Sequence, residues 1–219
     1  MSAIISNLSP TVGGGLVGWW KMDEGNGLIA HDASGNENHG TLVNSPTWVQ
    51  GIHNGALSFN GSNNYIMVNN SSIFNPTTIT ICFWIKLLSN SGTIGMSCVD
   101  KTQTGDSAQY RVGISQASAN SVNRLFLWNG SSAVFGVTQI PVNSWTFCCM
   151  TISSGNTKFY VNGIIDTSNS ASMGSINSGN LLIGRDSHNP ANVNGLIDEV
   201  RIYNRALTQA EITTLYQSF

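Results

Sequence analysis

LLIGRDSHNPANVNGLIDEVRIYNRALTQAEITTLY, residues 181–216, reads as a closing pair of strands followed by a capped helical turn. In GLIDEVRIY, residues 195–203, Leu196, Val200 and Ile202 share one parity, the signature of an amphipathic strand. Asp198 falls at the same parity, so a carboxylate is expected on the inward face, where it requires a partner. Thr208 and Glu211 have the spacing of a capping box, and Leu207 and Ile212 occupy the N′ and N4 positions of a hydrophobic staple. A short helix is therefore predicted to start at Thr208.

Upstream, short β-rich runs alternate with turn residues: GLVGWWKM, ALSFNG, YIMV, TITICFWIKLL, YRVGI, RLFLWNG, SWTFCCMTIS, TKFYVNG and LLIG. Asn60-Gly61, Asn129-Gly130, Asn162-Gly163 and Ser154-Gly155-Asn156 supply residues tolerant of positive φ at hairpin tips. Nothing before Thr208 sustains a helical period. Many short strands at this spacing predict an all-β, two-sheet antiparallel jelly-roll sandwich with one C-terminal helix. Trp20, Phe59, Ile81, Phe83, Trp145, Phe147, Phe159 and Val161 are the expected core.

The 219 residues suit one domain that buries its own core. Residues 1–15, with Pro10 and Gly13 to Gly15, read as an arm or linker ahead of a domain spanning 16–219. Only 9% of residues are charged and the net charge is -2, so there is no basic field for nucleic acid or an anionic membrane. The apolar run from Ile79 to Leu88 is interrupted by Lys86 and is too short for a spanning helix. MSAIISNLSPTVGGG has neither the basic nor the apolar region of a Sec signal peptide. The expected setting is extracellular or at a virion surface, reached by another route.

GWWKMDEGNG with DASGNENHGTL, GALSFNGSNNYIMV, TITICFWIKL, SWTFCCMTISSGNTKFYVNG, and IGR followed by GLIDEVRIYNRALTQAEI occur in one order from Leu16 to Tyr216. In that order they resemble the laminin-G-like (LamG) jelly rolls of the concanavalin A-like lectin and glucanase superfamily, with a pentraxin-related pattern. The resemblance implies the sandwich. It leaves the ligand open, because the superfamily holds sugar binders, adhesion modules and glycosidases. Its glycosidases place two or three acids at alternate positions of one strand. Here Asp23-Glu24 and Asp198-Glu199 are adjacent, which a regular strand sends to opposite faces, and no E-x-D or E-x-E occurs. His31, His39, His53 and His188 lie in turn-like contexts without HExxH, GxSxG or a Cys-His constellation. The expectation is a protein that is not an enzyme.

The cofactor to weigh is Ca²⁺, which takes six to eight oxygen ligands. One set is Asp23, Asp32, Asn36, Asn38 and Asp198, since the resemblance puts the last strand beside the first. The alternative is that Asp198 accepts backbone N–H or Arg bonds and that Asp32 belongs to a turn with Ser34 and Gly35. A second set resembles the pentraxin ligand face: Asp106 in TGDSAQ and Asp186 in IGRDSHN. Arg185 stands there in place of an acid-rich run, and the alternative is two solvated loop aspartates. The resemblance also implies a disulfide between Cys82 and Cys149, with Cys148 facing the other way; in a reducing compartment all four cysteines are buried thiols.

Tyr65, Tyr110 and Trp128 stand beside loops and are candidates for stacking on a sugar, with Arg185 and His188 as polar contacts; the alternative is plain strand packing. The leading reading is a non-catalytic module that binds carbohydrate or a glycosylated surface through loops at one rim, with structural calcium. Its rival is a surface or decoration subunit of a virion or cell-surface assembly, contacting other proteins of that assembly.

Overall fold

The structure, a computed structural model, describes Val12 and residues 14–90, 95–103, 107–115, 122–188 and 191–219. Its strands are β1 (Leu16–Trp20), β2 (Ile29–Ala30), β3 (Gly40–Val43), β4 (Thr47–Gln50), β5 (Gly55–Asn60), β6 (Tyr65–Val68), β7 (Ile79–Leu87), β8 (Met96–Gln103), β9 (Ser107–Ile114), β10 (Arg124–Trp128), β11 (Ala133–Gln139), β12 (Trp145–Ser153), β13 (Asn156–Val161), β14 (Ile164–Asn169), β15 (Leu181–Ile183) and β16 (Asn194–Tyr203), followed by helix α1 (Gln209–Gln217). They form two antiparallel sheets. The first runs β14-β13-β12-β7-β16-β5-β4 with β1 joined to β16, and the second runs β11-β10-β9-β8-β15-β6-β3-β2. Ser154 and Gly155, and Asn162 and Gly163, all have positive φ, as the hairpin tips demand.

Between the sheets lie Trp20, Phe59, Ile81, Phe83, Tyr110, Phe159 and Ile197, with Val161 at the margin. The first sheet is apolar on its outer face as well, because α1 covers it. Cys82, Trp84, Phe147, Cys149, Tyr160, Tyr203, Leu207, Ile212 and Leu215 make this second cluster, with Trp145 half-buried beside it. Phe147 and Trp145 are thus not in the inter-sheet core. On β12 the alternation sends Cys148, Met150 and Ile152 inward and Phe147 and Cys149 toward the helix.

Helix α1 starts as its sequence requires. Thr208 is the N-cap, its N–H donates to Glu211 Oε2 at 2.8 Å, and the Glu211 N–H donates back to Thr208 Oγ1 at 3.3 Å. Thr80 ties the approach to the sheet: its hydroxyl donates to the Arg205 carbonyl at 2.7 Å and accepts from the Leu207 N–H at 2.9 Å. The body begins earlier than Leu16. Val12 is buried in the helix-side cluster, and the Gly14 carbonyl accepts from Arg205 Nε at 2.9 Å. The Gly15 carbonyl accepts from the Asn204 N–H at 2.8 Å, and residues 1–11 and 13 of the proposed arm lie outside the described residues.

β16 organises the first sheet. One side pairs with β7 along its length, while the other pairs with β5 through Asn194–Ile197 and with β1 through Val200–Tyr203. At the change of partner the register slips and Glu199 takes φ 54°. This is a β-bulge, and it shifts the parity of every residue before it. Ile197, not Leu196, faces the core, so Asp198 lies on the outer face of the sheet and not on the inner one.

Candidate functional site

The outer face of the second sheet carries a buried group of charges. Arg111 on β9 is the cross-strand partner of Asp100 on β8. Its guanidinium lies 3.5 Å from Asp100 Oδ1 and 3.0 Å from Asp186 Oδ1, and all three side chains are almost wholly buried. Burial raises the Asp100 pKa, opposed chiefly by the Arg111 charge and the Thr102 hydroxyl. These charges pin the loop after β15: the Ser187 N–H donates to Asp100 Oδ2 at 2.7 Å, and the His188 N–H to Asp186 Oδ1 at 2.7 Å. Removing one member of such a group leaves an uncompensated charge, so the loop has little freedom to rearrange.

On that fixed loop Arg185 stacks over the Tyr65 ring, 4.8 Å from its centroid, and donates through Nε to the Asp186 carbonyl at 3.3 Å. Both side chains are half-exposed, and His188, three residues after Arg185, is exposed. Sequence reasoning named Tyr65, Arg185, Asp186 and His188, and the structure brings them to one rim. It does not bring the other aromatics there. Trp128 is half-buried beside Arg111 on β10. It stands four inter-strand spacings, roughly 19 Å, from the strand of Tyr65. Tyr110 is wholly inside, its hydroxyl donating to the Phe74 carbonyl at 3.1 Å, so it cannot stack on a ligand. The alternation of Tyr-Arg-Val put one of two neighbours outward, and that one is Arg111.

The metal candidates separate. Asp186 is not a solvated loop aspartate; Arg111 meets it with a protein cation, and Asp106 lies outside the described residues. A second internal cation, Lys101, donates to Asn70 Oδ1 at 3.0 Å and to the carbonyls of Asn177 at 3.1 Å and Gly179 at 2.6 Å; burial lowers its pKa to about 8. Asp32 accepts from the N–H groups of Trp19, Ser34 and Asn38 at 2.8–2.9 Å, and Asn36 donates to Ser34 Oγ at 3.0 Å, so this loop is knotted by hydrogen bonds.

Asp23 and Asp198 do converge, on the β4–β5 turn. Asp198 Oδ2 accepts from the N–H groups of Ile52 at 3.0 Å and His53 at 3.3 Å, and Asp23 Oδ1 accepts from Gly55 N–H at 2.9 Å. A Cβ at Gly51 would stand 2.5 Å from Asp198 Oδ2, so only glycine lets the turn seat on the carboxylate. Asp198 Oδ1 is buried without a hydrogen-bond partner among the described residues. Burial, then the Glu199 charge, pushes the Asp198 pKa up to about 8, with Asp23 adding to the rise. Glu199 accepts from Trp19 Nε1 at 2.7 Å and pairs with Arg201 at 2.8 Å. The bulge therefore brings Asp198 and Glu199 within electrostatic reach instead of sending them cleanly apart. N–H donors, from the backbone and from the Trp19, Asn54 and Arg201 side chains, surround these acids in place of a sphere of oxygens. Among the described residues no three His, Cys, Asp or Glu side chains are grouped to hold a metal ion, and the set does not fit calcium.

Cys82 and Cys149 are cross-strand partners with sulfurs 2.9 Å apart, present as buried thiols; Cys148 faces the opposite side, in the inter-sheet core with Cys98.

Residues 60–213 match the Laminin_G_3 family, the concanavalin A-like lectin/glucanases superfamily, and the chain belongs to that family. No curated protein sequence matches it. Among solved structures it is similar to domain 4 of AbnA, an extracellular GH43 arabinanase of Geobacillus stearothermophilus in complex with arabinotriose. The TM-score is 0.76 at 21% identity, over 93% of this chain and 98% of that one. It is also similar to the binding domain of botulinum neurotoxin DC in complex with SialylT, with TM-score 0.72, 16% identity, and coverage of 95% and 52%. A third is Trypanosoma rangeli sialidase, with TM-score 0.70, 17% identity, and coverage of 93% and 33%. The chain thus spans only half or a third of the latter two. These likenesses establish the two-sheet jelly roll. Among the described residues no helix is long and apolar enough to cross a membrane.

Proposed function

We propose that this protein is a non-catalytic carbohydrate-recognition module whose ligand rests against Tyr65, Arg185 and His188. The observation that carries this reading is Arg185 stacked on Tyr65 of β6 from a loop that the buried Asp100, Arg111 and Asp186 charges lock in place. An aromatic face beside a fixed polar fork suits a sugar ring, which offers an apolar side and hydroxyls. Similar jelly rolls in complexes with arabinotriose and SialylT support the choice of ligand class. The test is a glycan array read with and without EDTA for the wild type and Tyr65→Ala. Binding that survives EDTA and weakens in the variant is expected; no glycan bound in any condition would remove the reading.

A second reading, a structural subunit of a virion or cell-surface assembly, is favoured by one observation. Phe135 and Val137 on β11 and Ile164 and Ile165 on β14 are 41–70% exposed where the margins of the two sheets meet. Exposed apolar groups on strand margins suit a protein contact. Light scattering after size exclusion checks it: a strict monomer at every concentration argues against self-assembly through this seam.

A further inference from the structure

We infer that the Tyr65–Arg185 rim selects glycans bearing a carboxylate, the uronic or sialic class, over uncharged ones; this rests on the recognition reading above. The argument is one of unspent valence. A guanidinium presents five N–H donors in a planar fork. Among the described residues only Nε of Arg185 is committed, to the Asp186 carbonyl, and the ring of Tyr65 fixes the plane. The carboxylate nearest in sequence, Asp186, is turned inward and held by Arg111, so it does not neutralise Arg185. The fork is thus left charged, half-exposed and oriented, which is how arginine receives a carboxylate in two parallel hydrogen bonds. His188 and Ser187, both exposed beside it, add polar groups without negative charge.

The surroundings narrow the class further. The other cations of this region are taken: Arg111 by Asp100 and Asp186, and Lys101 by Asn70, Asn177 and Gly179. A lone guanidinium suits one carboxylate on an otherwise neutral chain. It does not suit a polysulfated glycan or a nucleic acid, whose binding rests on many phosphate- or sulfate-matched cations.

The experiment pairs each acidic oligosaccharide with its neutral counterpart: sialylated against desialylated, and uronate against carboxyl-reduced. Affinities are measured for the wild type and Arg185→Gln at low and moderate salt. The wild type is expected to prefer the acidic member by about tenfold to a hundredfold, the range of one charge-assisted fork, with the preference shrinking as salt rises. In R185Q the ratio should fall to about one. Whether the sialylated or the uronate pair carries the effect identifies the source of the carboxylate. Neutral members binding as tightly as acidic ones, or a ratio that survives R185Q, would overturn the inference while leaving glycan recognition intact. Binding confined to acidic peptides, or no binding of any glycan, overturns both.

Discussion

Replacing Asp198 by asparagine separates the charge of this side chain from its hydrogen bonds. In the wild type burial and the neighbouring Glu199 and Asp23 charges raise the carboxyl to about 8, against about 4 for a solvated aspartate. Between these values the unfolded chain gives up a proton that the folded chain keeps. Stability therefore falls as pH rises from about 4 to about 8, and is fully present only below that window. At about 1.4 kcal/mol per pH unit the ceiling on the loss is ~5 kcal/mol. Asparagine keeps an acceptor for the Ile52 and His53 N–H groups and has nothing to titrate. Urea unfolding at several pH values from about 5 to about 8 should show D198N gaining on the wild type by several kcal/mol as pH rises. Asp100, also raised by burial but on the other sheet, tilts both proteins in the same direction and drops out of the difference. Asp198→Ala, which strands two amide donors, should lose ~2–4 kcal/mol instead. Parallel pH profiles for wild type and D198N would refute the reasoning.

Arg111→Met removes the charge shared by Asp100 and Asp186 and is expected to cost ~3–5 kcal/mol in chemical denaturation, with partial recovery in acid as the stranded carboxylates take up protons. Thr80→Val deletes both bonds that tie the approach of α1 to β7; a loss of ~2–3 kcal/mol is expected, read as a lower urea midpoint with an unchanged slope. Thiol titration should find none of the four buried cysteines reactive in the native protein. After mild oxidation and denaturation two should titrate, the rest being joined through Cys82 and Cys149; four would show that this pair stays reduced.

Much of the fold was legible because the relevant signals are local. The Thr208–Glu211 box, the Leu207–Ile212 staple and the hairpin turns at Asn129-Gly130, Ser154-Gly155 and Asn162-Gly163 each act within a few residues, and the structure shows each where its spacing puts it, whereas Asn60-Gly61, read as a hairpin tip, instead carries the chain from β5 in the first sheet to β6 in the second. Asp198 was misplaced for a non-local reason. GLIDEVRIY alternates cleanly only if no residue is inserted, and the bulge exists because β16 exchanges β5 for β1 at that point. The rim was legible in part. Tyr65, Arg185 and His188 follow from loops beside strands, whereas the Asp100 and Arg111 pairing depends on register across the β8–β9 hairpin, which carries no mark in either strand alone. Their one signal is charge within two strand-like runs, Asp100 and Lys101 in MSCVDKT and Arg111 in YRVGI.

That exchange of partners has a consequence during synthesis on the ribosome. β7 and the two segments that flank it through β16 emerge long before residues 194–203 do, so until then the first layer has an empty lane down its middle. Contacts so distant along the chain form slowly, and β5, β1 and β7 wait with uncovered backbone groups. A nascent chain stalled short of this lane would hold the first sheet as two separate ribbons, so the emergence of residues 194–203 decides whether that sheet closes or stays open to aggregation.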